Sequence, residues 1–353
     1  MRLEKRSLPS RGAYVWAPLG ALGFTLAVSA LLVLWAGAPV GRTYALLLQG
    51  GFGSVFALSE TLTRAIPLML TGLAAAVAFK ARLFNIGAEG QLYAGALAAV
   101  AVGGLHGGTG FALAPGLLFV LMLLAAALAG ALMLLGPALL KSQLGVDEVV
   151  TTLLLNFIAL LFVSLVLDGP MKDPTAMGWP QSVALKGELE LSKLIAQTRV
   201  HSGLIGACLL ALGLWALMKY TVLGFAIRAV GANARAAAFA GVSVTRTTLW
   251  VALLSGGLAG LAGAIEVAGR TSYLTLDMSP GYGYSGIVIA MLAGLHPLGV
   301  LAASLLVAGV MVGADSMSRA VGVPTFIADV IVATALVAVL VATLFTQYRI
   351  RLK

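Results

Sequence analysis

The chain has 353 residues, of which 60% are hydrophobic and only 10% charged, against about 25% charged residues in an ordinary soluble domain. With a mean hydropathy of +1.03, it lacks the polar residues needed to cover a water-soluble globule of this length. Its one cysteine, Cys208, excludes an intrachain disulfide and a Cys-based metal cluster.

A hydrocarbon core of ~30 Å needs roughly 20 apolar residues per helix. Runs near that length predict an all-α polytopic membrane protein with about ten transmembrane helices, at 15–36, 61–79, 85–104, 115–140, 146–167, 203–219, 248–268, 284–295, 297–314 and 324–345. The eighth run is about half the needed length and reads as a re-entrant or broken helix, which survives at membrane depth only when buried in protein or lining a cavity. Eight spans is the alternative count. The first run is longer than a signal-peptide core and is followed by Pro39, so it reads as a retained span.

The segments then fall into a 1–14 N-terminal tail, a 15–345 transmembrane domain with a 168–202 external loop and a 219–247 cytoplasmic segment, and a 346–353 C-terminal tail. With the N-terminus inside, the cytoplasmic segments hold 14 of the 22 basic residues, including Arg2, Lys80, Arg82, Lys141, Lys219 and Arg228. This bias predicts an N-in/C-in topology with an even number of spans. The net charge of +9 is then explained by topology and the anionic lipid of the bilayer, and nucleic acid is not a partner.

Taken in chain order, the most unusual segment is Phe84-Asn85-Ile86-Gly87-Ala88-Glu89-Gly90-Gln91, at the mouth of the third span. An ionised acid at the membrane centre costs about 2–3 kcal/mol, so Asn85, Glu89 and Gln91 are candidates to line a polar route; pairing of Glu89 with Lys80 or Arg82 is the structural alternative. In the fifth span Glu148, Thr152 and Asn156 recur at i, i+4 and i+8 and form one polar stripe, either glue between helices or the wall of a hydrated route. Thr151 and Thr152 are expected to bond back to the preceding turn.

Between the sixth and seventh spans, Lys219 to Thr247 carries Lys219, Arg228, Arg235 and Arg246 and no acid. Asn233 is a candidate N-cap for Ala234 to Ala240, and Gly241 stands where a C′ glycine would end the helix. So short a helix is marginal in water alone and is expected to dock on a partner. In the seventh span Ser255, Ala259 and Gly263 repeat every fourth residue and Gly256 and Gly260 form a GxxxG pair, a face for close helix packing; Glu266, toward the outer end, could contact substrate or a docked partner.

Several chemistries are absent from the sequence. There is no P-loop, H-E-x-x-H or G-x-S-x-G, and no catalytic constellation. Gly281 to Gly286 satisfies G-x-G-x-x-G, but it opens an apolar helix instead of following a strand, so its glycines are read as relieving crowding. His106, His201 and His296 fall in loops or at span ends and suggest no metal site.

The combination of F-N-I-G-A-E-G-Q at 84–91, L-N-F-I-A with L-D-G-P-M-K-D-P within 155–174, I-R-A-V-G-A-N at 227–233 and S-G-G-L-A-G-L-A-G-A-I-E at 255–266 resembles the permease subunits of bacterial ABC importers in the branched-chain amino acid and simple-sugar permease group. It is most similar to nucleoside permeases that work with a Bmp-type substrate-binding lipoprotein, over about residues 60 to 345. The resemblance implies a type II-like importer permease of the bacterial inner membrane, paired with a second, usually different, permease chain. It also implies cytoplasmic ATPase subunits that hold ATP-Mg, so this chain is no enzyme and binds no cofactor. The 219–247 segment, with Arg228, Asn233 and Arg235, falls where such permeases carry the coupling helix. The expected function is to form half of the route for a neutral solute, a nucleoside, near Asn85, Glu89, Gln91, Asn156 and Glu266. A simple sugar is the alternative cargo, and an ATP-independent secondary transporter the competing class.

Overall fold

The computed structural model describes residues 2–5, 11–104, 114–322, 330, 333–335, 337–338, 341–342 and 348–351. Twelve α-helices follow in order among these residues: α1 Arg11–Trp35, α2 Val40–Phe52, α3 Val55–Lys80, α4 Ala88–Gly104, α5 Pro115–Leu144, α6 Glu148–Asp168, α7 Gly203–Tyr220, α8 Val222–Ala232, α9 Ala234–Phe239, α10 Val244–Glu266, α11 Tyr282–Leu292 and α12 Pro297–Val321. Six of them are long and apolar enough to cross a membrane, and seven if the α1–α2 pair, bent by 116°, counts as one span. Most of the predicted span 324–345, and His106, lie outside the described residues.

The chain forms two compact units, residues 1–61 with 305–353, and residues 62–304. In the first, Val33, Ala38, Ala314 and Met317 make a small apolar core. There α2 packs on α12 through glycine: a Cβ built at Gly51 would lie 2.3 Å from the Gly309 carbonyl oxygen, and one at Gly313 would lie 2.1 Å from that of Leu47. The all-α reading omitted a short antiparallel pair of strands, β1 Arg2–Lys5 with β2 Tyr348–Arg351, which sets the two tails side by side.

In the second unit α10 is the central post. Of its apolar window 78% is buried inside the chain, against 17% for α6, which leaves most of its surface free for lipid or another chain. The backbone contacts are direct: a Cβ at Gly256 would lie 2.3 Å from the Gly130 carbonyl oxygen on α5, and one at Gly263 would lie 2.0 Å from that of Leu92 on α4. Gly260 is as crowded, at 2.2 Å from the Ala126 carbonyl oxygen. Small residues let these helices approach to backbone contact, and dispersion and interhelical hydrogen bonds then hold them.

Several predicted boundaries move. Residues 40–52, left unassigned from sequence, are helical, and α3 begins at Val55 instead of at 61. The third span begins at Ala88 because residues 81–87 are not helical. The run at 284–295 forms only the 11-residue α11, about 16 Å long at 1.5 Å per residue, half of a crossing. The 219–247 segment holds two helices, α8 and α9, where sequence suggested one.

Candidate functional site

The site is built around the break between α3 and α4. After Lys80 the chain turns out of helix with Arg82 in the left-handed region at φ 57°. The amide of Leu83 returns to the Ala78 carbonyl and that of Arg82 to Phe79, which satisfies carbonyls at the helix end. Lys141 Nζ also donates to the Arg82 carbonyl at 2.7 Å.

Residues 84–90 carry backbone N–H groups that no helix pairs, and at membrane depth each would cost several kcal/mol if left unpaired. The stripe on α6 receives them in register. Phe84 donates to Glu148 Oε1 (3.2 Å), Ile86 to Thr152 Oγ1 (3.2 Å) and Gly90 to Asn156 Oδ1 (2.8 Å). Asn156 Nδ2 donates in return to the Ile86 carbonyl at 2.9 Å and to the Tyr284 hydroxyl at 3.2 Å. Glu148 is paired with Lys141, and Thr152 Oγ1 also donates to the Glu148 carbonyl at 2.7 Å. The helical period of 3.6 thus places three acceptors along an irregular stretch of backbone.

Asn85 and Gln91 form a second, fully satisfied set. Asn85 Oδ1 accepts from Gly87 N and Gln91 Nε2, both at 2.9 Å, while Asn85 Nδ2 donates to Gln91 Oε1 (2.9 Å) and Ser255 Oγ (3.0 Å). Ser255 Oγ donates onward to the Ala74 carbonyl at 2.8 Å. Every donor and acceptor position of the Asn85 amide is used, and α3, α4 and α10 are tied together. Asn85, Gln91, Asn156 and Ser255 are all at most 1% exposed.

Glu89 does not pair with Lys80 or Arg82. Its carboxylate accepts from the Gly283 amide at 2.6 Å and from the Ser279 hydroxyl, at the N-terminus of α11. Gly283 is required there, since a Cβ would lie 2.2 Å from the Glu89 nitrogen. Tyr93 donates to the Leu276 carbonyl and accepts from Ser279 N at 3.3 Å. Glu266 forms an ion pair with Arg270 at 2.5 Å and also lies within the field of Arg64; Arg270 reaches the Tyr282 hydroxyl at 3.3 Å. Glu266 Oε2 is buried without a hydrogen-bond partner. Sequence reasoning missed Tyr93, Arg270, Ser279, Tyr282 and Tyr284; the one signal pointing to them was the glycine spacing at 281–286.

Above this network the 168–202 loop is laced to the turn after α10, where residues Val267–Thr271 form a π-turn. Leu191 N donates to the Ala268 carbonyl (2.8 Å), Leu185 N to Ser272 (2.7 Å) and Ser182 N to Leu274 (3.0 Å). His201 is 1% exposed, wedged where a Cβ on Gly203 or Gly269 would collide with its ring. Burial pushes its pKa down to about 4. Asp173 is held below the usual carboxylate range by hydrogen bonds from the hydroxyl and amide of Thr175.

At the opposite end of the helices, α8 and α9 are capped locally. Thr221 Oγ1 accepts from Gly224 N at 3.0 Å, and Asn233 Oδ1 accepts from Arg235 N (3.0 Å) and Ala236 N (3.1 Å). Gly241, at φ 85°, closes α9. Arg228 and Arg235 are exposed, and Phe239, at 96% exposure, projects from the end of α9. A Cβ on Gly231 would lie 1.9 Å from the Lys80 carbonyl oxygen, so α8 rests on the end of α3 just before the 81–87 break. No group of three or more His, Cys, Asp or Glu able to hold a metal occurs among the described residues.

Comparison with known proteins places the chain in context. The family described as "Branched-chain amino acid transport system / permease component" matches residues 57–341. The guanosine ABC transporter permease NupP of Bacillus subtilis is 36% identical over 92% of this chain and 92% of its own length. The glucose ABC transporter permease TsgB13 of Haloferax volcanii is 35% identical over 99% and 94%, and the nucleoside ABC transporter permease NupB of Lactococcus lactis is 32% identical over 90% and 88%.

Proposed function

This chain belongs to the permease-component family of branched-chain amino acid transport systems, as a multi-pass inner-membrane subunit of an ABC importer, and from that premise we propose that its cargo is a nucleoside. The observation that carries the cargo is the pair of relatives named for guanosine and nucleoside transport, each matched over about nine-tenths of both chains. The glucose permease, at 35% identity, supports a sugar as the second reading.

In this reading the chain lies N-in/C-in and forms half of the route with a second permease chain. A binding protein delivers cargo to the 168–202 and 270–283 segments, and ATP-Mg is held and hydrolysed by cytoplasmic subunits that receive α8 and α9 through Arg228, Arg235 and Phe239. Asn85, Gln91 and Asn156 shape the route from behind by fixing the broken 81–87 segment, and Glu89 and Glu266 set the position of α11 and the outer turn. The support is geometric. The cytoplasmic α8 sits against the end of α3, α3 runs into the break, and the break is bonded to α6 and faces α11.

The test is uptake by the reconstituted complex with its binding protein. Labelled guanosine is expected to accumulate with ATP, to stop on ATP depletion and to persist with an uncoupler. Accumulation of glucose and not guanosine would replace the cargo, and uptake that survives ATP depletion would refute the importer mechanism.

A further inference from the structure

A cavity of about 250 Å³ opens among the ends of α3, α7 and α8 and the start of α12, lined by Lys80, Trp215, Lys219, Arg228 and His296, with Met218, Leu295 and Pro297 among its apolar wall. Three of these side chains are basic, and no acid lines the cavity. Among the described residues none of the three has a carboxylate partner. Lys219 is held instead by aromatic faces, its Nζ 5.0 Å from the Trp215 ring centre and 5.1 Å from that of Tyr220. His296 accepts from Gly299 N through Nδ1 at 3.4 Å, which leaves Nε2 as its remaining polar atom.

Three cations gathered at one cavity repel one another, and an arrangement of this kind is stable where an anion completes it. The surroundings narrow the anion. The cavity lies at the ends of two membrane-length helices, α3 and α7, and at the start of a third, α12. Its lining joins cationic heads to an indole and to Met, Leu and Pro. A free, fully hydrated anion has no use for that apolar wall, whereas a headgroup whose glycerol and acyl stems continue into the bilayer does. Basic pockets between helix ends at the cytoplasmic level have this property in general, and an indole at the same level suits the polar–apolar boundary.

We propose that this cavity binds the phosphodiester headgroup of an anionic lipid such as phosphatidylglycerol. The headgroup is held by Lys80 on α3 and Lys219 on α7, at the helix end on which Gly231 of α8 already rests, while Arg228 keeps the ATPase-facing role proposed above. Assigning the lipid to the cytoplasmic leaflet rests on the N-in reading above; the binding itself does not.

The experiment uses the complete transporter in discs of phosphatidylcholine doped with phosphatidylglycerol, and native mass spectrometry to count retained phosphatidylglycerol. The double substitution Lys80→Gln with Lys219→Gln leaves Arg228 in place and is expected to weaken retention about 30-fold, at roughly tenfold or less per basic residue. The double substitution Lys172→Gln with Lys193→Gln, on the external loop, is expected to leave retention unchanged. Equal retention in wild type and the Lys80/Lys219 variant overturns the proposal. So does displacement of the lipid by inorganic phosphate at matched concentration, which would assign a soluble anion. Retention seen only after the ATPase is stripped away also overturns it, because the cations would then belong to an acidic partner surface. Melting of each variant in lipid-free detergent is expected to match wild type, and a loss of folding there would assign the lysines a structural role instead. Labelling from outside the cell of a cysteine placed by Phe239→Cys, in a Cys208→Ser background, would reverse the leaflet without altering the disc measurement, so the two failures are distinguishable.

Discussion

The substitution Asn156→Ala isolates the joint between α6 and the broken segment. It removes three hydrogen bonds at once, from Gly90 N at 2.8 Å, to the Ile86 carbonyl at 2.9 Å and to the Tyr284 hydroxyl at 3.2 Å. At ~0.6 kcal/mol for an average side-chain hydrogen bond inside a membrane protein, the direct loss is about 2 kcal/mol. The Gly90 amide is buried and has no helical partner, so leaving it unpaired adds about 1–3 kcal/mol. The expected destabilisation is therefore about 3–5 kcal/mol, and it should be local. Hydrogen exchange at residues 84–91 is expected to accelerate by two orders of magnitude or more, together with a lower melting temperature in detergent and reduced uptake. Tyr284→Phe removes only the longest of the three bonds and should cost under about 1 kcal/mol, with little change in exchange. Unchanged exchange at residues 84–91 in Asn156→Ala would refute the idea that the stripe holds this backbone in place.

Glu89→Gln keeps an acceptor for Gly283 N but removes the charge at a helix N-terminus, a loss of about 1–2 kcal/mol; uptake is expected to fall several-fold in a correctly folded complex, and wild-type rate and affinity would end the assignment. Gly256→Ala would press a Cβ to 2.3 Å from the Gly130 carbonyl oxygen and should destabilise by about 3 kcal/mol or more, read as lost yield and melting temperature, whereas Gly206→Ala, with nothing within 4 Å, should be neutral. Arg228→Glu with Arg235→Glu is expected to leave membrane insertion intact and to lower transport-linked ATP hydrolysis at least tenfold; normal coupling in that variant would count against docking through these side chains. Burial lowers the pKa of His201 from 6.5 to about 4, so the unfolded chain takes up the proton first. Its contribution, of order 3 kcal/mol, is complete above pH 6.5 and drains away as pH falls toward 4. Melting at pH 7.5, 6 and 5 should show this loss in wild type and a flatter profile in His201→Gln; parallel profiles would assign the acid sensitivity elsewhere.

What could be read from sequence was what is local or periodic. Asn233 caps α9 through its own side chain two and three residues on, so Asn233 and Gly241 mark both ends of that helix in the sequence. The stripe of Glu148, Thr152 and Asn156 follows from the helical period alone. Membership of a helical membrane class follows from the scarcity of charge. The partner of the stripe was not legible, because the Gly90–Asn156 bond joins residues 66 apart and the Glu89–Gly283 bond residues 194 apart, and no local pattern encodes such a match. Lys80 and Arg82 are the basic residues nearest to Glu89 in sequence, but tertiary packing gives its carboxylate the Gly283 backbone amide instead. Helix α8 is not legible in the sequence because Gly224 and Gly231 break its pattern. Both glycines are there for contact: a Cβ at Gly224 would lie 2.2 Å from the Leu217 carbonyl oxygen, as one at Gly231 would approach Lys80. In the same way Gly37 and Pro39 hid the bend that separates α1 from α2.

In the proposed reading, the position of Glu89 also bears on what the transporter can accept. Helices α4 and α11 begin at Ala88 and Tyr282, and the Gly283 position lies against the Glu89 amide, so two helix N-termini abut inside the unit. Each carries the equivalent of about half a positive charge. In a site of low dielectric that pair would repel itself and would draw an anion, as the half-helix ends of other transporters draw anionic substrate groups. Here the anion is supplied from within the chain, because one carboxylate lies in the first turn of α4 and accepts the Gly283 amide of α11. The attraction is therefore satisfied before any cargo arrives. On the proposed route, a negatively charged solute would find these N-termini already compensated by Glu89 and Arg270 already paired with Glu266, and would lose its hydration with neither offered in exchange. A neutral solute that exchanges hydrogen bonds without exchanging charge faces no such barrier, which is the physical reason to prefer a nucleoside or sugar over a nucleotide as the cargo of this permease.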